Sequence, residues 1–282
     1  KGRRQKSGRQ RGTSPSARSV LHQTNRLEDL GEFFDIRFVE FEGFAHSGFT
    51  IVTNAYPHNW TWHLSRVEGS PWNDIRVRKA ANLAIDREGL KELLGGLAIP
   101  AKGFMPPGHQ WFGHPTFDIK YDPAEAKKLL AEAGYSATKK PKIKIAISTS
   151  GSGQMLPLPM NEALQENLKQ ACNVDVKVEA VEWQTLLNVL RSTPDAPALN
   201  GAMALNVSSP SSDAGAIFRY FAKVNFTPNG FNFEQWVDDK FEDAFAKLSE
   251  STDPAVIDRN YALAHERLVD NPPWLYIVHD LN

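Results

Sequence analysis

A single cysteine, Cys172, stands in 282 residues, which rules out an intrachain disulfide and any multi-cysteine zinc cluster. The fold has to stand on packing alone. Long apolar runs are missing as well: no stretch approaches the roughly 20 consecutive apolar residues that cross a bilayer, so no direct membrane insertion is expected. Neither charge sign dominates. Thirty-two Lys and Arg against 33 Asp and Glu leave a net charge of -1, which argues against a wholesale nucleic-acid binder.

Signatures of catalysis are equally scarce. There is no G-x-S-x-G nucleophile elbow and no H-E-x-x-H zinc motif. Gly151 and Gly153 follow a strand pattern, but "GSGQML" is neither G-x-G-x-x-G nor a phosphate loop with its Lys-Ser/Thr, so it reads as a flexible loop. His58, His63, His109 and His114 lack metal-ligand spacing and read as loop or core histidines. Cys172 follows a helix end in an apolar context and reads as packing. No cofactor, metal or catalytic residue is expected, and an enzyme would have to hide its catalytic group. The alternative, an α/β hydrolase or transferase, requires an unrecognised nucleophile and base within hydrogen-bond reach.

What is present is strong patterning. At this length the chain can bury a sizeable core, and 41% hydrophobic with 23% charged residues is an ordinary globular composition. Residues 1–50 stand apart. The first 26 carry eight Lys or Arg and no acid, and "LEDLGEFFDIRFVEFEGF" then turns acidic and Phe-rich, with a strand-like alternation in "FDIRFVEF". The segment is expected to be partly disordered. From residue 51 the patterns sharpen. "TIVTNAYPHNWTWHLS" suggests strands, and Asn73 or Asp74 can cap a helix whose Val77, Ala80, Ala81, Ala84 and Ile85 form one apolar stripe. Helical geometry then assigns Arg78, Lys79 and Asn82 to the solvent side.

In "YDPAEAKKLLAEAGY", Asp122 is an N-cap, Pro123 suits the first turn, Glu125 can complete a capping box and Gly134 can end the helix. "KIKIAIS", the stripe Met160, Ala163, Leu164, Leu168, Ala171 and "VDVKVEAV" make a β-α-β unit with parallel pairing expected. A helix from about Trp183 to Arg191, a buried strand in "LNGAMALNV", two helices presenting Phe241, Ala244, Phe245, Leu248 and Ile257, Tyr261, Ala264, Leu268, and a final strand in "PPWLYIVHD" complete an α/β pattern. "SSPSSDAGAIF" reads as a polar loop. Asn206, Ser208, Ser209, Ser211, Ser212 and Asp213 therefore gather small hydrogen-bonding groups just beyond a buried strand, where open α/β sheets bind ligands. They are the candidate substrate-binding residues.

The segments "PWNDIRVRKAANLAIDREGL", "GGLAIPAKGFMPPG", "YDPAEAKKLLAEAGY", "EALQENLKQACNVDVKVEAVEWQTLL" and "ERLVDNPPWLYIV" resemble, in order, the C-terminal lobe of family 5 extracellular solute-binding proteins of ABC importers. These are receptors of the dipeptide, oligopeptide and nickel-binding type. The resemblance covers about residues 51–282. It implies a periplasmic-binding-protein-like, type II Venus-flytrap lobe, α/β with a mixed sheet flanked by helices, in an apparently truncated member. It also implies a small-molecule or peptide ligand, ABC permease membrane subunits as partners, and a periplasmic or extracytoplasmic location. The helix cations become structural or permease-facing. In peptide-binding relatives the stretch matching "GAMALNVSSPSSDAGAIF" offers an Asp to the peptide amino terminus; here that position falls on Ser209 or Ser211, and Asp213 is the only nearby acid. An unpaired α-ammonium is costly to desolvate, so sugar-derived solutes and organic acids rival peptides.

Overall fold

The structure, a computed structural model, describes residues 52, 55–151, 153–210 and 215–281. The expected strand in "FDIRFVEF" and the basic N-terminal segment lie outside these residues, as do Ser211, Ser212 and Asp213.

Six strands form one mixed sheet among the described residues: β1 (Ala55–Leu64), β2 (Ala98–Pro100), β3 (Lys142–Ser148), β4 (Asp175–Val181), β5 (Ala204–Pro210) and β6 (Trp274–Leu281), in the order β2-β6-β1-β5-β3-β4. β3 pairs parallel with β4 and β5; β1 pairs antiparallel with β5 and β6. The β-α-β unit forms as the alternation requires, with α4 (Pro157–Cys172) crossing from β3 to β4. Its stripe residues Met160, Leu164, Leu168 and Ala171 are buried. Cys172 is buried with them, and burial raises its thiol to about 12, so it stays protonated and packs.

Both sheet faces are covered. Trp60, Trp62 and Leu64 of β1 join a core with α1 (Ile75–Ala84), α2 (Arg87–Leu93), α3 (Pro123–Glu132) and α4. On the other side α5 (Trp183–Leu190) packs over Ala146, Leu205 and Val207. An aromatic core joins Phe104, Phe221, Trp236 and Trp274 to α6 (Ala216–Phe221), α7 (Asp239–Ser249) and α8 (Pro254–Asp270).

Caps explain where helices start. Asp74 rather than Asn73 caps α1: its carboxylate accepts from Arg76 N at 2.8 Å and also receives the Arg76 guanidinium. Asp122 accepts from Glu125 N at 3.1 Å, Pro123 opens α3, and Gly134 follows it with φ +86°. The capping box does not close. Asp122 N donates to Leu83 O at 2.8 Å, leaving the Glu125 carboxylate to Lys128 Nζ at 3.1 Å.

The wheel-based assignment of α1 is corrected. Arg78 and Asn82 are buried, and only Lys79 keeps partial exposure. The reason lies in β6. β2 reaches only Val278, His279 and Asp280, so the start of β6 has no strand neighbour on that side. Unpaired backbone groups cannot be buried without cost. Asn82 fills the gap, donating to Trp274 O at 3.0 Å and accepting from Tyr276 N at 3.1 Å. Arg87 donates to Tyr276 O at 2.9 Å from Nε, and Arg78 donates to Pro272 O at 2.8 Å. The cations are therefore structural: they satisfy carbonyl oxygens, and burial lowers both guanidinium groups to about 9.

Candidate ligand-binding edge

The antiparallel register of β1 brings its first residues to the carboxyl end of β5, with His58 opposite Pro210 and Trp60 opposite Ser208. β6 ends at the same edge, Asn59 lying opposite His279. This is the edge at which open α/β sheets accept ligands. Ser208, Ser209 and Pro210 belong to β5 itself, correcting their placement in a loop. Polar residues sit in this strand because named partners satisfy them.

Three of the six candidate residues can be placed. Asn206 is wholly buried, its amide donating to Thr61 O at 3.0 Å and accepting from Asn161 Nδ2 at 2.9 Å. Asn161 also accepts the Trp62 indole N–H at 2.8 Å, so Asn206 helps tie β1 to α4. Ser209 points to the other face, where its hydroxyl meets His63 Nε2 at 2.9 Å. His63 Nδ1 lies 2.6 Å from Glu234 Oε1, which accepts the Trp274 indole N–H at 2.5 Å. That chain is sealed in the interior. Ser208 differs: its backbone N–H donates to Gln154 Oε1 at 3.1 Å, while its hydroxyl has no hydrogen-bond partner among the described residues.

The loop after β3 is pinned to this edge, which corrects its reading as a plain flexible connection. Gln154 is buried and its carbonyl accepts the Trp60 indole N–H at 3.0 Å. Gly153 has φ +73°, and a methyl group there would stand 3.0 Å from both Ser208 Oγ and His58 Nδ1. Gly151, at φ +121°, lies flat against Trp183; a methyl group would come within 2.3 Å of the indole. Both glycines permit close approach of backbone to side chain. Trp183, half-buried at the start of α5, adds an aromatic surface beside the same loop.

An acid reaches the edge that sequence reasoning missed. Asp280 Oδ2 lies 3.6 Å from His58 Nδ1, and Asp280 Oδ1 has no hydrogen-bond partner among the described residues. Asp213 is therefore not the only acid available. Asp280 lies 72 positions from Ser208 in the chain, and only the β6–β1–β5 pairing joins them. The signal was the "HD" closing the last strand. The neighbouring His279 is buried, and desolvation followed by the influence of His265 pushes it down to about 4, so it is neutral near pH 7.

Ser208 Oγ makes no hydrogen bond to His58 or to any other described residue, so the serine–base hydrogen bond of a nucleophilic relay is not formed here. The arrangement offers hydrogen bonds and charge, which are what binding requires.

Comparison with known proteins agrees with this architecture. The family described as bacterial extracellular solute-binding proteins, family 5 Middle, matches residues 18–225. The periplasmic oligopeptide-binding protein OppA of Escherichia coli K12 is 28% identical over 207 residues, which is 70% of this chain and 35% of that protein. The glutathione-binding protein GsiB of the same strain is 26% identical over 75% of this chain and 40% of its own length. Among solved structures, HbpA2 from Haemophilus parasuis superposes with a TM-score of 0.72 at 20% identity, covering 87% of this chain and 47% of that one. The chain thus spans between a third and a half of these relatives. By sequence and by fold, it belongs to the family 5 bacterial extracellular solute-binding proteins.

Proposed function

We propose that this chain is part of the substrate-binding component of an ABC import system, capturing a small solute outside the cytoplasm and delivering it, chemically unchanged, to membrane permease subunits. The observation that carries the reading is a pair of polar atoms with no hydrogen-bond partner among the described residues at one sheet edge, Ser208 Oγ beside Gly153 and Asp280 Oδ1 on the carboxylate that faces His58. Buried polar groups normally hold partners, so such atoms at a ligand-accepting edge favour a solute with complementary donors and acceptors. Ser211, Ser212 and Asp213 continue the chain from that edge and complete the proposed contact set.

A peptide-like solute is the first choice. Asp280 offers a carboxylate to an ammonium group, which removes the objection that such a group would be desolvated alone. The names of OppA and GsiB, an oligopeptide-binding and a glutathione-binding protein, point the same way. Thermal melts of the chain with short peptides, glutathione, sugars and small organic acids test this. Occupancy raises the melting temperature through linkage, and the peptide class is expected to do so while being recovered intact. A shift by sugars or organic acids alone would move the solute class; turnover of any compound would overturn the binding-protein reading.

A further inference from the structure

A second cleft opens at the opposite end of β1 and β5. The chain leaves β1 through Ser65, whose N–H donates to Met203 O at 2.9 Å, and Arg66, whose N–H donates to Glu234 O at 3.2 Å. The Arg66 side chain lines a space of about 600 Å³ with Glu68, Thr193, Asp195, Met203 and Gln235. Its Nε is buried and makes no hydrogen bond, and Arg66 forms no ion pair among the described residues. Its charge is not relieved from behind either. Arg78, close enough for the two cations to repel, is buried and among the described residues bonds neutral oxygens, while Asp74 is taken by Arg76.

Arg66 is half-buried, and a buried guanidinium N–H such as its Nε–H is costly to leave without an acceptor; in most proteins a carboxylate or carbonyl relieves it. Here two acids line the space, Glu68 and Asp195, but both are solvent-exposed and neither reaches Arg66. Desolvation alone lowers the Arg66 pKa. Glu234 Oε1 is held by His63 and Trp274, and Glu234 makes no ion pair with Arg66 among the described residues. Thr193 and half-buried Gln235 add neutral hydrogen-bonding groups. We infer that this cleft is a second binding site, in which the Arg66 guanidinium receives the carboxylate or phosphate oxyanion of a small molecule. The two terminal nitrogens of this half-buried side chain present the paired donors that a planar oxyanion accepts. Glu68 and Asp195 at the margin oppose highly charged anions and favour a single oxyanion group with a neutral remainder.

The cleft lies at the other end of the strands from Ser208, so its test is independent of the proposed function. Acetate and inorganic phosphate are titrated separately into the full chain at constant ionic strength, following the Arg66 Nε–Hε resonance. A saturable shift is expected, and the stronger of the two anions identifies the oxyanion class. Glu68→Gln with Asp195→Asn should tighten binding, and Arg66→Gln should weaken the response seen at neighbouring Thr193 and Gln235 by at least about tenfold. A shift in the wild type that grows linearly without saturation overturns the proposal, whatever the variants do. So does saturable binding that survives Arg66→Gln unchanged.

Discussion

Gly153 stands against Ser208 so closely that a methyl group on it would lie 3.0 Å from the serine hydroxyl oxygen. That contact holds the loop after β3 to the edge of β5, and the positive φ of 73° makes glycine the residue suited to it. Gly153→Ala should lower stability by about 1–3 kcal/mol and weaken solute binding. Gly134→Ala, also at positive φ but facing open space, should lose stability through backbone strain while leaving binding intact. Urea denaturation and titration of the two variants separate these outcomes. Equal binding losses in both would remove Gly153 from the site.

Asn82→Ala strips the start of β6 of its side-chain neighbour, leaving Tyr276 N and Trp274 O without that partner. Buried groups left unpaired cost about 1–3 kcal/mol each, so a loss of about 2–5 kcal/mol is expected in urea unfolding. Lys79→Ala, one turn away from the strand edge and contacting the Phe117 ring at 4.8 Å, should cost less than about 1 kcal/mol. Similar losses for the two would contradict the edge-capping account of α1.

Acid should destabilise the fold through two histidines. Burial pushes His265 and His279 down to about 4, whereas an unfolded histidine titrates near 6.5. Their contribution is fully present above about pH 6.5 and is lost as pH falls toward 4, because the unfolded chain takes up protons that the folded chain refuses. Each is worth on the order of 3 kcal/mol across that window. Melting temperature should fall steadily from pH 7 to 4.5. His265→Gln, which removes one titrating group beside Met105 N and Phe112 O, should flatten the slope. A parent profile that is flat over this range would show that these rings do not stay neutral.

The β-α-β unit was legible because its periods are local: Ile143, Ile145 and Ile147 alternate, and Met160, Leu164 and Leu168 share a helical face. Caps were legible for the same reason, since Asp122 and its partner Glu125 N are three residues apart. Arg78 and Asn82 were misread because a helical wheel assumes one wet side, and α1 has β6 and its preceding turn where solvent would be. The candidate site was half legible. "SS" after a strand marked Ser208, but whether each polar side chain is spent depends on distant residues: His63 engages the Ser209 hydroxyl, and Asn161 with Thr61 engages the Asn206 amide. The "HD" closing the last strand was a weak local signal for Asp280, because only strand pairing carries that residue to the edge where Ser208 lies.

The account predicts that removing the Ser208 hydroxyl changes binding more than folding. That hydroxyl makes no internal hydrogen bond among the described residues, so Ser208→Ala should move stability by less than about 1 kcal/mol. Ser209→Ala removes the partner of His63 inside a sealed network and should cost about 1–3 kcal/mol with little direct effect on solute contacts. Calorimetric melts paired with titrations check the contrast. A reversal of the two would place the ligand face on the other side of β5.

The most direct measurement is backbone-amide NMR mapping of the chain during titration with the peptide, glutathione, sugar and organic-acid panel. The account predicts saturable perturbations clustered at Gly151, Gly153, Ser208, Pro210-flanking amides and Asp280 for one chemical class. Saturable perturbations confined to any other region, or none for the whole panel, would contradict the assignment of this strand edge as the solute site.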